Sequence, residues 1–181
     1  FLFWGNWPAR RVILTGSFIA IASFFIEAAG TNTGKIFGVY SYGRTLGPAL
    51  LNTPLIIGLN WFLLIYCTNV ISRIVWQRLT HHSARRRGGL SESLFVILTG
   101  SALMVLYDLF LEPAAARLDM WSWECGVIPL RNYLGWFLFS AFFHAVTRIW
   151  GEEEINGRAL PLFTVQLGFF ASIDLFYAFA A

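Results

Sequence analysis

The chain has 181 residues, 57% hydrophobic and 18% aromatic, with only 13% charged against about 25% in an ordinary soluble domain. Thirteen Lys and Arg and ten Asp and Glu make too thin a polar coat for a water-soluble globule of this length, and the net charge of +3 is too small to suggest a nucleic-acid partner. The missing solvent is membrane lipid.

The first residues, Phe1-Leu-Phe-Trp4 with Gly5, Asn6 and Pro8, read as the tail of a partial N-terminal segment, without the pattern of a signal peptide. Five apolar stretches follow, near 12–29, 55–76, 94–111, 133–150 and 160–181. Each approaches the roughly 20 helical residues that cross a hydrocarbon core about 30 Å thick. None shows the ten-residue alternation of a barrel strand. The expected fold is therefore all-α: one integral-membrane domain over 1–181, a polytopic bundle of about five spans. Arg10 and Arg11 precede the first span, Pro54 opens the second, Pro113 follows the third, Asn132 caps the fourth and Pro161 starts the fifth.

If the spans alternate, Arg10, Arg11, Arg73, Arg78, Arg85, Arg86, Arg87, Arg148 and Arg158 fall on one side, against Lys35, Arg44, Arg117 and Arg131 on the other. Nine against four makes the Arg-rich loop 77–92 cytoplasmic. That loop is a topology determinant with a possible role in anionic-lipid contact. Its His81-His82 pair has no third ligand nearby, and Glu152, Glu153 and Glu154 weigh little in orientation. Cys67 and Cys125 lie in no C-x-x-C spacing and read as small apolar fillers.

Four acids break the apolar background: Glu27, Asp108, Glu112 and Asp174. Alternating spans bring all four to the non-cytoplasmic end, and Asp108 and Glu112 share a helix face if the third helix continues through Glu112. Acids at membrane depth are costly, face the bundle interior and mark function. The structural alternative is capping, or pairing with Arg44, Arg117 or Arg131. Long loops at 30–53 and 113–132 form a roof at this end, carrying Tyr40, Tyr42, Trp121 and Trp123, with Trp61 and Trp136 close by. Such rings serve as an interfacial belt, or flank an apolar ligand and stabilise a cation. His144 reads as a hydrogen-bonding residue of the bundle. No G-x-G-x-x-G, Walker loop, G-x-S-x-G, H-E-x-x-H or D-D-x-x-D can be written, so neither nucleotide nor metal is expected as a cofactor.

The strings Glu27-Ala-Ala-Gly30, Phe37-Gly-Val-Tyr40-Ser-Tyr42, Leu46-Gly-Pro48, Pro54, Trp61-Phe62 and Tyr66, and then Asp108-Leu-Phe-Leu-Glu112-Pro113, Trp121-Ser-Trp123, Gly126, Ile128-Pro129-Leu130, Asn132 and Gly135-Trp136, resemble the membrane carotenoid-biosynthesis proteins that include the bisanhydrobacterioruberin and gamma-carotene hydratases. The resemblance covers about residues 12–150. It implies hydration of the terminal C=C bond of an acyclic carotenoid end group to a tertiary alcohol, a hydro-lyase reaction. Glu27, Asp108 and Glu112 would then be acid, base and water-positioning group in an unassigned order. Tyr40, Tyr42, Trp61, Trp121, Trp123, Asn132 and Trp136 would surround the substrate. The partners it implies are membrane lipid and a carotenoid substrate or bound pigment.

In this chain Glu112 stands where the family usually has aspartate, and only Glu-Cys-Gly-Val-Ile separates Trp123 from Pro129. The second reading is accordingly a non-catalytic carotenoid-binding or assembly subunit of a larger membrane, even photosynthetic, complex. A third, end-group cyclisation, uses a similar cation but must exclude water.

Overall fold

A computed structural model describes residues 9–80, 89–124, 126–150 and 157–180. The readings made on the first eight residues, on His81, His82, Arg85, Arg86 and Arg87, on Cys125 and on Glu152, Glu153 and Glu154 fall outside them, as does the Arg10 side chain. Five long helices dominate: α1 (Ala9–Thr33), α2 (Ile56–Thr80), α3 (Leu90–Arg117), α4 (Leu130–Trp150) and α5 (Ala159–Ala180). The stretches Arg11–Thr33, Ile56–Thr80, Leu90–Arg117 and Ala159–Ala180 are long and apolar enough to cross a membrane. The protein is an integral-membrane helical bundle. The remaining helix, α4, has comparable length, but its Tyr133, Trp136, His144 and Arg148 make it more polar than its neighbours.

Two proline boundaries differ from expectation. Pro113 does not end α3, which runs on to Arg117. A proline in that position removes one backbone donor, yet Ala114 and Ala115 just beyond it are fully buried, and that packing holds the last turn. Pro54 does not open α2; it belongs to a two-residue strand, and the helix begins at Ile56.

The roof is not plain loop. Strand β1 (Tyr40–Tyr42) pairs antiparallel with β4 (Trp121–Trp123), in the register Tyr40 to Trp123 and Tyr42 to Trp121. Alternation explains this, because Tyr-Ser-Tyr and Trp-Ser-Trp each send two aromatics to one face and one serine to the other. The faces match: Tyr40, Trp121 and Trp123 are buried, Ser41 and Ser122 exposed. A second hairpin joins β2 (Ala49–Leu50) to β3 (Thr53–Pro54) through Leu51 and Asn52, both at positive φ (52° and 59°). It is tied to the end of α1, where Asn32 donates to the Leu51 carbonyl at 2.8 Å and accepts from Asn52 at 2.9 Å.

Helix α3 is central and packs against α2, α4 and α5. Close contact between α1 and α2 depends on Gly58, where a Cβ would strike the Ala20 carbonyl oxygen. In the middle of the bundle His144 lies 3.2 Å from the Thr68 hydroxyl, and Asn69 donates to Thr147 at 2.8 Å, joining α2 to α4. His144 is thus the hydrogen-bonding residue expected of it. Cys67 is buried in the core. Far from the roof, Glu92 sits between Arg73 (3.8 Å) and Arg148 (3.7 Å).

Candidate functional site

Two buried acids are hydrogen-bonded to the roof from below. Glu27, one turn and a half from the end of α1, accepts from the Tyr40 hydroxyl at 2.7 Å and the Tyr42 hydroxyl at 3.0 Å through Oε2, and from the Trp61 indole N–H at 2.9 Å through Oε1. Glu112 on α3 accepts the indole N–H groups of Trp121 and Trp123 through Oε2, at 3.0 and 2.7 Å, and an amide N–H of Asn132 through Oε1 at 3.0 Å. Each carboxyl is therefore bound by three neutral donors, and the four aromatic residues of β1 and β4 divide evenly between them. No basic side chain takes part in these contacts. Burial first, and then the Glu27 charge, hold the Tyr40 and Tyr42 phenols well above the ordinary tyrosine range, so both remain O–H donors.

Asp108 lies one turn before Glu112 and is fully buried. Its Oδ2 accepts from the same Asn132 amide at 2.7 Å, while Oδ1 accepts no hydrogen bond from the described residues. Asn132 is the third residue of α4, and its side chain serves the acids of α3; the capping role expected from the sequence is not what the side chain does. Asp174 does not join the cluster. It pairs with Arg117 at 2.9 Å, and the same guanidinium lies 5.0 Å from the Tyr177 ring centroid, fastening α5 to the end of α3.

Glu27 and Glu112 both face a cavity of about 30 Å³. That is room for one or two water molecules, since a single one needs at least about 10–15 Å³. Tyr40, Tyr42, Trp61, Trp121, Trp123, Asn132 and Trp136 also line it, whereas Asp108 stands behind Asn132 and does not. Its walls are aromatic faces: Trp61 stacks on Trp136 at 4.6 Å between ring centroids, and Tyr40 lies 5.1 Å from Trp123.

Beside it lies a larger slot of about 360 Å³ between α2, α3, α5 and the roof. Ile57, Asn60, Leu111 and Trp121 line both spaces, so they form the wall the two have in common. The slot's rim residues Ile56, Val165 and Phe169 are exposed on the outside of the bundle. The sequence led to the expectation of an apolar groove beside the acids but not to its place between α2, α3 and α5, nor to two polar residues in it, Asn60 and Gln166. Both interrupt apolar helices, which is the signal that marked the acids. Among the described residues no group of three His, Cys, Asp or Glu side chains is placed to hold a metal ion.

The site thus sets a water-sized cavity lined by two carboxyls beside a larger, mostly apolar slot. Bisanhydrobacterioruberin hydratase of Haloarcula japonica is 28% identical over 134 residues, which cover 71% of this chain and 42% of that protein. The chain thus spans well under half the length of this curated relative. No solved structure matches. A family profile described as carotenoid biosynthesis protein matches residues 3–180, nearly the whole chain, which belongs to that family.

Proposed function

We propose that the protein is a carotenoid hydratase that adds water across the terminal C=C bond of an acyclic carotenoid end group, leaving a tertiary alcohol. The observation that carries this reading is the wall common to the two spaces, polar and water-sized on one side, apolar and open to the bundle's exterior on the other. The carotenoid lies in the slot with its reacting end at Asn60 and Leu111, and one water sits between Glu27 and Glu112.

A carboxylic acid gives its proton to the less substituted alkene carbon, and the pi electrons form the new C–H bond. The tertiary cation left on the neighbouring carbon lies against Trp121, the indole that lines both spaces and whose face stabilises positive charge. Water oxygen bonds to that carbon and its surplus proton passes to the second carboxylate, so the sum is addition of one water. Glu112 is the acid in this scheme. Its neighbour Asp108 has an unengaged oxygen and shares Asn132 with it, so the pair can hold a proton that two separate carboxylates would not. Glu27, held by three donors on another helix, is the base. Asp108 touches neither space and is a positioning residue. On the same proposal residues 77–92 face the cytoplasm and the carboxyls the opposite side.

One observation favours the second reading. Four of the six donors on Glu27 and Glu112 belong to the roof strands, and a roof pinned by acids could enclose a pigment without converting it. Pigment analysis of a host that makes acyclic carotenoids, with and without this chain, separates the two. A product heavier by one water supports hydration, and co-purifying pigment of unchanged mass supports binding alone.

A further inference from the structure

The slot is not uniformly apolar. Gln166 on α5 lines it, and its Oε1 is buried without accepting a hydrogen bond from any described residue. A buried acceptor left unsatisfied is costly, and the penalty is removed when a bound molecule brings a donor. A hydrocarbon tail brings none. Leu111, Val165, Phe169 and Phe170 around the slot cannot donate, the Trp121 indole N–H is given to Glu112, and neither Tyr107 nor Asn60, the slot's other donor-bearing side chains, reaches Gln166 Oε1. Within the same slot Asn60 reaches the wall of the water-sized cavity, so a hydroxyl formed there on the hydrocarbon end enters the space that Gln166 lines.

We infer that the slot is a binding site for a hydroxyl-terminated isoprenoid end, whose O–H is donated to Gln166 Oε1. This rests on the hydration reading for where the alcohol comes from, though an alcohol made elsewhere would present the same donor. The slot then holds the alcohol more tightly than the alkene, and release of the hydrated end is slowed by one hydrogen bond.

The test uses the full chain in lipid nanodiscs, titrated with an acyclic polyene bearing a tertiary-alcohol end and with the matching alkene, and read by quenching of tryptophan fluorescence. The alcohol is expected to bind about tenfold more tightly, equivalent to about 1.4 kcal/mol. Gln166→Met, close in shape but without the acceptor, brings the two affinities together. Equal affinities in the parent protein, or a preference that survives Gln166→Met, overturn the inference. A parallel incubation with the alkene in heavy-oxygen water separates the two sources. Label in the bound alcohol assigns it to this site. A preference without label supports the hydroxyl site and overturns hydration.

Discussion

Asp108 and Glu112, one helical turn apart on α3, are bridged by a single amide: Asn132 Nδ2 stands 2.7 Å from one carboxyl and 3.0 Å from the other. Both amide protons are thereby committed to acids on the neighbouring helix. One amide thus serves both carboxyls, and of the two Glu112 alone lines the cavity.

Asn132→Leu removes the bridge and leaves two buried acids with one donor group fewer. Hydrated product is expected to fall by about 10²-fold, the lower range for losing a positioned general acid. Asn132→Asp, which puts a third carboxyl where the donor stood, is expected to do at least as much harm. Single-turnover pigment conversion by purified variants measures both.

The hydroxyls on Glu27 serve to anchor the roof. Tyr40→Phe and Tyr42→Phe each remove one donor, and each is expected to lower unfolding stability by about 1–3 kcal/mol. Glu27→Gln sets an amide N–H against O–H and N–H donors and is expected to cost more than either, as well as abolishing product. Thermal unfolding in detergent ranks the three.

Alkaline titration tests the Tyr40 and Tyr42 environment directly. Because both phenols are raised, the folded protein keeps their protons above the ordinary tyrosine value of about 10, while the unfolded chain releases them there. Folding stability contributed by these groups is therefore complete below about pH 10 and is lost as pH rises past it. Tyrosinate absorbance near pH 10–11 is expected to match between the folded parent and a folded Tyr40→Phe/Tyr42→Phe variant, and to differ by two residues once both are denatured.

Leu51 occupies a left-handed turn position with φ 52° while its side chain is exposed. A left-handed non-glycine residue costs roughly 1–2 kcal/mol, part of which glycine returns as chain entropy. Leu51→Gly is expected to raise stability by about 0.5–1 kcal/mol, read as a higher unfolding midpoint.

Much of this arrangement was legible in the sequence. Helix positions follow from apolar length, and acids inside such helices are costly enough to be recognised by position alone, which singled out Glu27, Asp108, Glu112 and Asp174 together. Pairing of Tyr40-Ser-Tyr42 with Trp121-Ser-Trp123 was not legible, because register between strands about 80 residues apart depends on where α1, α2 and α3 hold their ends. Asp174 carries the same charge as the other acids, and only the position of Arg117 on the adjacent helix turns it into an ion pair. The slot likewise depends on how α5 packs across α2 and α3, a tertiary fact that α5's almost uniform hydrophobicity leaves unspecified.

The central claim is that water held between Glu27 and Glu112 becomes the hydroxyl of the product. Incubating the purified, reconstituted chain with an acyclic carotenoid in heavy-oxygen water tests it most directly. One labelled oxygen per hydrated end is expected in the parent, and at least a roughly 10²-fold loss of label in both Glu112→Gln and Glu27→Gln. Labelled alcohol formed at the parent rate by either folded variant, or none formed by the parent, would contradict it.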